Sequence, residues 1–169
     1  MVLPLIHKGF GTLDEFVASA QTVLQRRRTR SGKSLELQVK AILAEEGLVE
    51  GRDFDYNMES EPKRRPDFLF PGQAAYRDPA YPAEKLHMLA AKTTCKDRWR
   101  QVLNEARRIK TKHLITLQEG VSEQQHAEMT ASGVQLVVPH RLHTRFPSAV
   151  RPHLLSLAAF LQRLRDSRL

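Results

Sequence analysis

One short segment sets the strongest limits on how this chain folds. Residues 86–91 form a mostly apolar run with the length of a buried strand, and Lys92 follows it directly. Residues 96–100 then add three basic side chains at the start of a helical pattern. Lysine and arginine are rarely buried unless they are paired or functional. A lysine at the end of a core strand, followed by a basic cluster, therefore indicates a functional site.

Strand patterns and helix patterns alternate along the chain. Helices are predicted over residues 13–25, 34–46, 99–110, 122–132 and 152–164, with Ser34 and Ser122 as N-caps. Strands are predicted over residues 54–58, 66–70, 86–92, 113–117 and 134–139, with surface loops over 26–33 and 71–84. Such alternation predicts an α/β fold with a mixed central sheet flanked by helices. The length fits a single domain, residues 1–169, with residues 1–12 as a lead-in.

The charge balance narrows the class of partner. The chain has a formal net charge of +8, which favours nucleic acid because neutralising phosphates releases counterions. The alternative is an ordinary solvated basic surface. The same choice applies to residues 26–33, five of which are basic, as a phosphate-contacting or merely solvated loop. The single cysteine, Cys95, excludes an intramolecular disulfide and fits a reducing cytoplasm, and no membrane span is visible.

Asp67 and Lys92 have the chemistry of a nuclease site. Asp67 opens one predicted core strand and Lys92 ends the next. Phosphodiester hydrolysis uses a hard cation such as Mg²⁺, held by carboxylates, and a lysine that stabilises developing negative charge. The pair fits the nuclease pattern PD-(D/E)XK, but Ala90 stands where an acidic residue is expected. Glu105, near the buried side of the predicted helix 99–110, is the best replacement; the alternative is an ion pair with Arg108.

Longer motifs resemble the catalytic domain of the EcoRII restriction endonucleases, in the PD-(D/E)XK superfamily. They are residues 33–37, 66–71, 91–101, 104–106, 116–122 and 132–134, and the likeness extends from about Ile6 to Phe160. In that group the carboxylate missing before the lysine is supplied by the following helix, where Glu105 stands. The resemblance therefore implies Asp67 and Glu105 as Mg²⁺ ligands and Lys92 as the catalytic lysine.

The resemblance also implies roles for five further residues. Glu36 matches an additional acidic residue on the first helix, which supports the metal ligands or binds a second metal ion; the alternative is a favourable interaction with the helix dipole. Tyr76 matches an active-site tyrosine, or is an aromatic that packs in its loop. Lys96, Asp97 and Arg98 match a basic–acidic–basic recognition triplet. Lys and Arg donate to guanine, and Asp accepts from the cytosine amino group; the alternative is a local ion pair.

The function that the resemblance implies is specific. It is a type II restriction endonuclease with the restriction-endonuclease-like core, cutting double-stranded DNA with Mg²⁺ at a CCWGG-like site with CC:GG halves, in a prokaryotic cytoplasm. A symmetric site suits a homodimer with one subunit per strand; the alternative is a monomer that nicks each strand in turn. Relatives have a separate N-terminal effector DNA-binding domain, so this chain is either a catalytic domain from which that effector domain is missing or a compact stand-alone enzyme. The alternatives are a related strand-nicking repair endonuclease and an inactive basic DNA-binding module.

Overall fold

The structure is a computed structural model that describes residues 13–167, with every side chain described from residue 30 onward. Its elements are α1 (Leu13–Glu45), β1 (Asp55–Tyr56), β2 (Phe68–Phe70), α2 (Gln73–Arg77), β3 (His87–Lys92), α3 (Trp99–Val102), β4 (Lys112–Thr116), α4 (Glu123–Ala131), β5 (Val134–Val137) and α5 (Leu157–Asp166). Short 3₁₀ helices cover Ala83–Lys85, His140–Arg145 and Arg151–His153. The predicted lead-in, residues 1–12, lies outside the described residues.

The five strands form one mixed sheet in the order β1-β2-β3-β4-β5. The pairs β1–β2 and β2–β3 are antiparallel, whereas β3–β4 and β4–β5 are parallel. Strand β3 is covered on both faces: Met88 and Ala90 belong to one hydrophobic cluster, and Leu89 and Ala91 to the other. A strand buried on both faces needs a continuous apolar run rather than alternation. The predicted α/β fold with a mixed sheet flanked by helices is confirmed.

Helix α1 is longer than the sequence pattern predicts. It continues without a break from Leu13 to Glu45, so the loop expected over residues 26–33 and the helix start expected at Ser34 are both wrong. Arginine and lysine are good helix formers, and Gly32 costs only about 1 kcal/mol relative to alanine. The chain divides after Ser34 into two compact units, and the candidate site lies in the second.

The last helix, in contrast, starts later than predicted. Leu155 is bound to the edge of β5, because its N–H donates to Leu136 O at 3.1 Å and its carbonyl accepts from Val138 N at 2.8 Å. Helix α5 therefore begins at Leu157, and the Ser156 hydroxyl caps it. The predicted Ser122 cap of α4 is confirmed by a 3.1 Å bond from Gln125 N–H. None of the described helices combines the length and apolar character needed to cross a membrane.

Candidate active site

Asp67 and Lys92 meet where β2 begins and β3 ends. Because these strands are antiparallel, with Phe68 opposite Leu89, the residue before β2 lies beside the last residues of β3. Lys92 Nζ donates to Asp67 Oδ2 at 2.8 Å, and the Ala91 N–H donates to the same oxygen at 2.7 Å. Only 12% of the Asp67 side chain and 19% of the Lys92 side chain are exposed. The sheet register thus holds a carboxylate and an ammonium group together in a largely dry setting.

Glu105 lies near this pair. Burial raises the pKa of Glu105 to about 7; the negative charge of Asp67 adds to the rise, while Lys92 and Lys112 oppose it. Its Oε2 atom is buried and has no hydrogen-bond partner among the described residues. The ion pair with Arg108 is not formed, because that guanidinium donates to main-chain carbonyls, including Asp78 O at 2.8 Å and Tyr81 O at 2.8 Å.

The two carboxylates fit a hard divalent cation. Mg²⁺ is typically bound by one or two carboxylates, with water and substrate phosphate completing its coordination. A cation beside Glu105 would favour the ionised carboxylate that burial disfavours, and would satisfy the unpartnered Oε2 atom. Within the described residues no group of three or more His, Cys, Asp or Glu side chains could hold a metal. Asp67 and Glu105 are thus the two described carboxylates that could hold such a cation beside Lys92.

The segment that carries Glu105 is a turn and not a helix. Helix α3 ends at Val102, and Ala106 has a left-handed φ of 46°. The predicted helix over residues 99–110 is thus wrong beyond its first turn. The physical reason is that side chains elsewhere bind the backbone here: the Glu61 carboxylate accepts the N–H of Ala106 at 3.1 Å and of Arg107 at 2.7 Å. An α-helix would direct these N–H groups to its own carbonyls.

A lysine supports the same turn from β4. Lys112 Nζ donates to the carbonyls of Ala106 and Ile109, the latter at 2.6 Å. Lys112 is only 5% exposed, and burial lowers its pKa to about 8 against the opposing influence of Glu61 and Glu105. Neither Glu61 nor Lys112 was predicted from the sequence. The signal for Lys112 was its place directly before an apolar strand; Glu61 stands in a polar segment without any such signal.

Tyr76 lies behind the turn that carries Glu105. Its hydroxyl donates to Glu61 Oε1 and accepts the Arg108 N–H at 3.2 Å. Burial, followed by the hydrogen bond to Glu61, raises the pKa of Tyr76 to about 12. The hydroxyl therefore keeps its proton at neutral pH. Among the described residues its bonds go to Glu61 and to the turn, and none goes to Asp67 or Lys92.

Glu36 is placed by its contact with β1. The Tyr56 hydroxyl donates to Glu36 Oε2 at 2.7 Å, and Tyr56 lies opposite Phe68, the residue that follows Asp67. Because α1 continues through Ser34, Glu36 is not in the first turn of a helix, and the helix-dipole explanation of this residue is wrong. A half-buried carboxylate on α1 is thus linked to the strand beside Asp67.

The triplet Lys96, Asp97 and Arg98 lies on the turn between β3 and α3. All three residues are exposed. Across the described chain, their side chains make no hydrogen bond or ion pair, so the local ion pair considered from the sequence is not formed. Their backbone is fixed: Arg98 N–H donates to Cys95 O at 3.1 Å, and Lys96 O accepts from Gln125 at 2.9 Å. The following Trp99 is buried, 2% exposed, and anchors the turn to the core.

Fold and site together define a class of protein, the restriction-endonuclease-like proteins. Two solved structures share this fold. The first, metal-depleted Ecl18kI in complex with uncleaved, modified DNA, has a TM-score of 0.70 and 23% identity, and the match covers 88% of this chain and 48% of that one. The second, the PspGI restriction endonuclease–substrate DNA complex, has a TM-score of 0.65 and 14% identity, covering 88% and 65%.

The family is defined more narrowly by sequence. Residues 1–161 match the family described as EcoRII C terminal, and the chain belongs to that family. It is 54% identical over 163 residues to the type II restriction enzyme EcoRII of Escherichia coli, a match that covers 96% of this chain and 40% of the E. coli protein. The chain thus spans less than half the length of this relative. The resemblance predicted from the sequence motifs is confirmed.

Proposed function

We propose that this chain is a type II restriction endonuclease domain that hydrolyses phosphodiester bonds of double-stranded DNA with Mg²⁺ in a prokaryotic cytoplasm. The observation that carries the proposal is the meeting of Asp67, Lys92 and Glu105, with one Glu105 oxygen buried and unpartnered. Membership of the EcoRII C-terminal family supports it. The net charge of +8 suits a polyanionic substrate.

The residues of the site divide the work of hydrolysis. Asp67 and Glu105 would hold the cation, which when bound polarises the phosphate and lowers the pKa of a water molecule. Lys92, whose ammonium is kept at Asp67 Oδ2, can donate to a phosphate oxygen as negative charge develops there. Burial of both side chains strengthens these interactions because little water screens them. Glu36, which is linked to β1 through Tyr56, would support the two carboxylates that hold the cation.

Base recognition belongs to Lys96, Asp97 and Arg98 in this proposal. Their exposed side chains have no partner within the described structure, and they follow Lys92 by only a few residues. Lys and Arg suit the O6 and N7 acceptors of guanine, and a carboxylate suits the N4 donor of cytosine. This supports CC:GG half-sites, as in a CCWGG-like sequence. Two copies of the chain, one for each strand, would cut such a symmetric site most simply.

The test is cleavage of plasmid DNA by the purified protein with Mg²⁺, followed by sequencing of the fragment ends. We expect double-strand cuts at one recurring sequence with CC and GG halves, lost in Asp67→Asn. The control is Asp166→Asn, which changes an exposed aspartate whose side chain, among the described residues, bonds to Gln162 on the same helix and to no other residue. Cuts in one strand only would favour a nicking repair enzyme. Specific binding without any cleavage would favour an inactive DNA-binding module.

A further inference from the structure

We infer that Glu61 is a positioning residue for Glu105, which it orients by hydrogen bonds to the turn on which Glu105 stands. The inference rests on the proposed function, because it assigns to Glu61 the placing of one proposed metal ligand. Glu61 itself is not a ligand in this proposal. Tyr76 belongs to the same hydrogen-bond network and acts on Glu105 through Glu61 and the turn.

Both oxygens of the Glu61 carboxylate accept hydrogen bonds in this network. Oε1 accepts from the Arg107 N–H at 2.7 Å and from the Tyr76 hydroxyl. Oε2 accepts from the Ala106 N–H at 3.1 Å and from the Ser60 hydroxyl at 2.6 Å. Each oxygen thus receives one backbone donor and one hydroxyl donor. Only an ionised carboxylate offers two acceptor atoms to two adjacent N–H groups, since an amide would place its own N–H₂ group against one of them.

The bond to Ala106 acts directly on Glu105. The N–H of Ala106 belongs to the planar peptide unit that begins at the Glu105 carbonyl. Fixing that N–H fixes the plane of the peptide, and with it the backbone rotation that sets where the Glu105 side chain points. The Arg107 N–H is fixed by the same carboxylate, so two successive peptide units are held from one point.

The turn needs an external partner because its backbone is strained. Ala106 has a φ of 46°, a left-handed conformation that disfavours residues with a side chain. Its N–H and that of Arg107 would otherwise be left without a helical acceptor. The hydrogen bonds to Glu61 satisfy both groups. Burial alone would raise the pKa of Glu61, but the hydrogen bonds from Ser60 and Tyr76, followed by those from the Arg107 and Ala106 N–H groups, lower it below its ordinary value, so the carboxylate remains ionised at neutral pH.

Tyr76 supports this arrangement from α2. Its hydroxyl donates to Glu61 and accepts from the N–H of Arg108 at 3.2 Å. Glu61 and Tyr76 thus bind three consecutive N–H groups of the turn, residues 106–108, and Ser60 Oγ is a second acceptor for the Ala106 N–H at 3.3 Å. The hydroxyl is thus a link between Glu61 and the turn. This accounts for a buried tyrosine near the site that has no bond to Asp67 or Lys92.

The decisive experiment compares Glu61→Gln with Glu59→Gln. Glu59 makes the matched control, because its carboxylate bonds to Lys63 N–H in its own local turn and not to residues 105–108. We expect Glu61→Gln to raise the Mg²⁺ concentration for half-maximal cleavage about tenfold or more, the usual cost of removing a group that orients a metal ligand. Mg²⁺ binding without DNA, measured by calorimetry, should weaken by a similar factor. Glu59→Gln should match the wild type in both assays.

A second measurement reports on the turn itself. Hydrogen exchange of the Ala106 and Arg107 amides, followed by NMR in metal-free protein, should be faster in Glu61→Gln and unchanged in Glu59→Gln. If Glu61→Gln does not fold, Tyr76→Phe removes one hydroxyl that contacts both Glu61 and Arg108 N–H. It should weaken Mg²⁺ binding in the same direction but by a smaller factor. Unchanged Mg²⁺ binding and exchange in the folded variants would overturn the inference.

A double-mutant cycle separates positioning from general stability. If Glu61 acts through Glu105, then Glu61→Gln adds no further loss of Mg²⁺ binding once Glu105→Gln is present. Additive losses would overturn the inference. The two proposals also fail separately. A wild-type protein that binds Mg²⁺ but cuts no DNA would defeat the proposed function, whereas a wild-type enzyme with an indifferent Glu61→Gln variant would defeat only the positioning role.

Discussion

The proposed site draws on two regions that are held in different ways. Asp67 and Lys92 stand on two hydrogen-bonded strands, and the register of β2 and β3 brings them to 2.8 Å. Glu105 stands on a turn without regular structure, beside an alanine with a φ of 46°. Its position depends on Glu61, Tyr76 and Lys112. These three residues are distant from it in sequence, and their side chains bind the backbone of the residues that follow it.

The two regions show which residue positions a local sequence pattern can predict and which it cannot. A strand position follows from neighbours in sequence, because alternation and length decide which face each side chain occupies. The position of a turn residue follows from partners that approach through space. The strand pair should therefore tolerate changes elsewhere in the chain, whereas Glu105 should respond to substitutions that never touch it. Changes in each region can test this.

The largest effect is expected on the strand side, from Lys92→Ala. Removing one preorganised group that stabilises developing charge typically lowers the rate by about 10²–10³, and we expect a loss of this order in single-turnover cleavage. Extra Mg²⁺ should not restore it, because the lysine is not a metal ligand. Lys85→Ala, just before the opposite end of β3, is the control and should cleave normally. Recovery of Lys92→Ala at high Mg²⁺ would contradict the assigned role.

On the turn side, Glu105→Gln should change how stability depends on pH. Below pH 4.5, the ordinary pKa of a glutamate side chain, Glu105 is protonated in both the folded and unfolded states, so the substitution should change little. Between pH 4.5 and about 7 the unfolded chain ionises first, so rising pH destabilises the wild type. Above pH 7, Glu105→Gln should therefore be more stable than metal-free wild type, by up to about 3 kcal/mol.

Urea denaturation at pH 4 and pH 8, with and without Mg²⁺, measures this difference. The advantage of Glu105→Gln should shrink when Mg²⁺ is present, because the cation stabilises the ionised wild-type carboxylate. Glu128→Gln is the exposed control. Among the described residues the Glu128 carboxylate pairs only with Arg100 and Gln124 at the surface, so this variant should show no such pH dependence. The same stability gap at both pH values would argue against a buried, destabilised Glu105 carboxylate.

The two regions also differ in how far the sequence predicted them. Strand β3 was expected over residues 86–92 and is found at His87–Lys92, because a strand buried on both faces leaves an unbroken apolar run. The helix expected over 99–110 stops at Val102. Ala106 is of the best helix-forming type, yet it adopts a left-handed φ. Hydrogen bonds to the distant residue Glu61 outweigh the helix propensity of this segment. No local sequence pattern predicts these bonds.

The length of α1 shows the opposite error. Residues 26–33 were expected to form a loop because they are densely charged, but charge alone does not end a helix. Gly32 is tolerated within α1, and Gly47, with a φ of 83°, is the glycine at which the chain leaves the helix. The roles of Glu36 and Tyr76 came only from resemblance. The structure adds their hydrogen-bond partners, Tyr56 for the first and Glu61 for the second.

A smaller effect is expected from the recognition triplet, next to the strand pair. Arg98→Ala should reduce discrimination against a single wrong base pair by about 1–3 kcal/mol, while salt-dependent non-specific binding remains. Competition binding with cognate and singly altered duplexes, without Mg²⁺, measures this. Arg100→Ala is the control, because that guanidinium lies over the Trp99 ring and pairs with Glu128. Equal weakening on all duplexes in Arg98→Ala would rule out base reading by this residue.

The smallest effect is expected from Ala106→Gly in the turn and Ala91→Gly on β3, which together compare the backbone strain of the two regions. Both alanines are buried, so each change loses one methyl group, worth about 0.8 kcal/mol, and adds chain entropy worth about 0.5–1 kcal/mol. At Ala106 glycine also relieves a left-handed conformation that costs about 1–2 kcal/mol, so the net change in unfolding free energy should stay within about 1 kcal/mol of zero. Ala91 is on β3 and gains no such relief. Its substitution should destabilise by about 1.3–1.8 kcal/mol on the same two contributions, and equal losses at both positions in urea titrations would mean that the turn stores no strain.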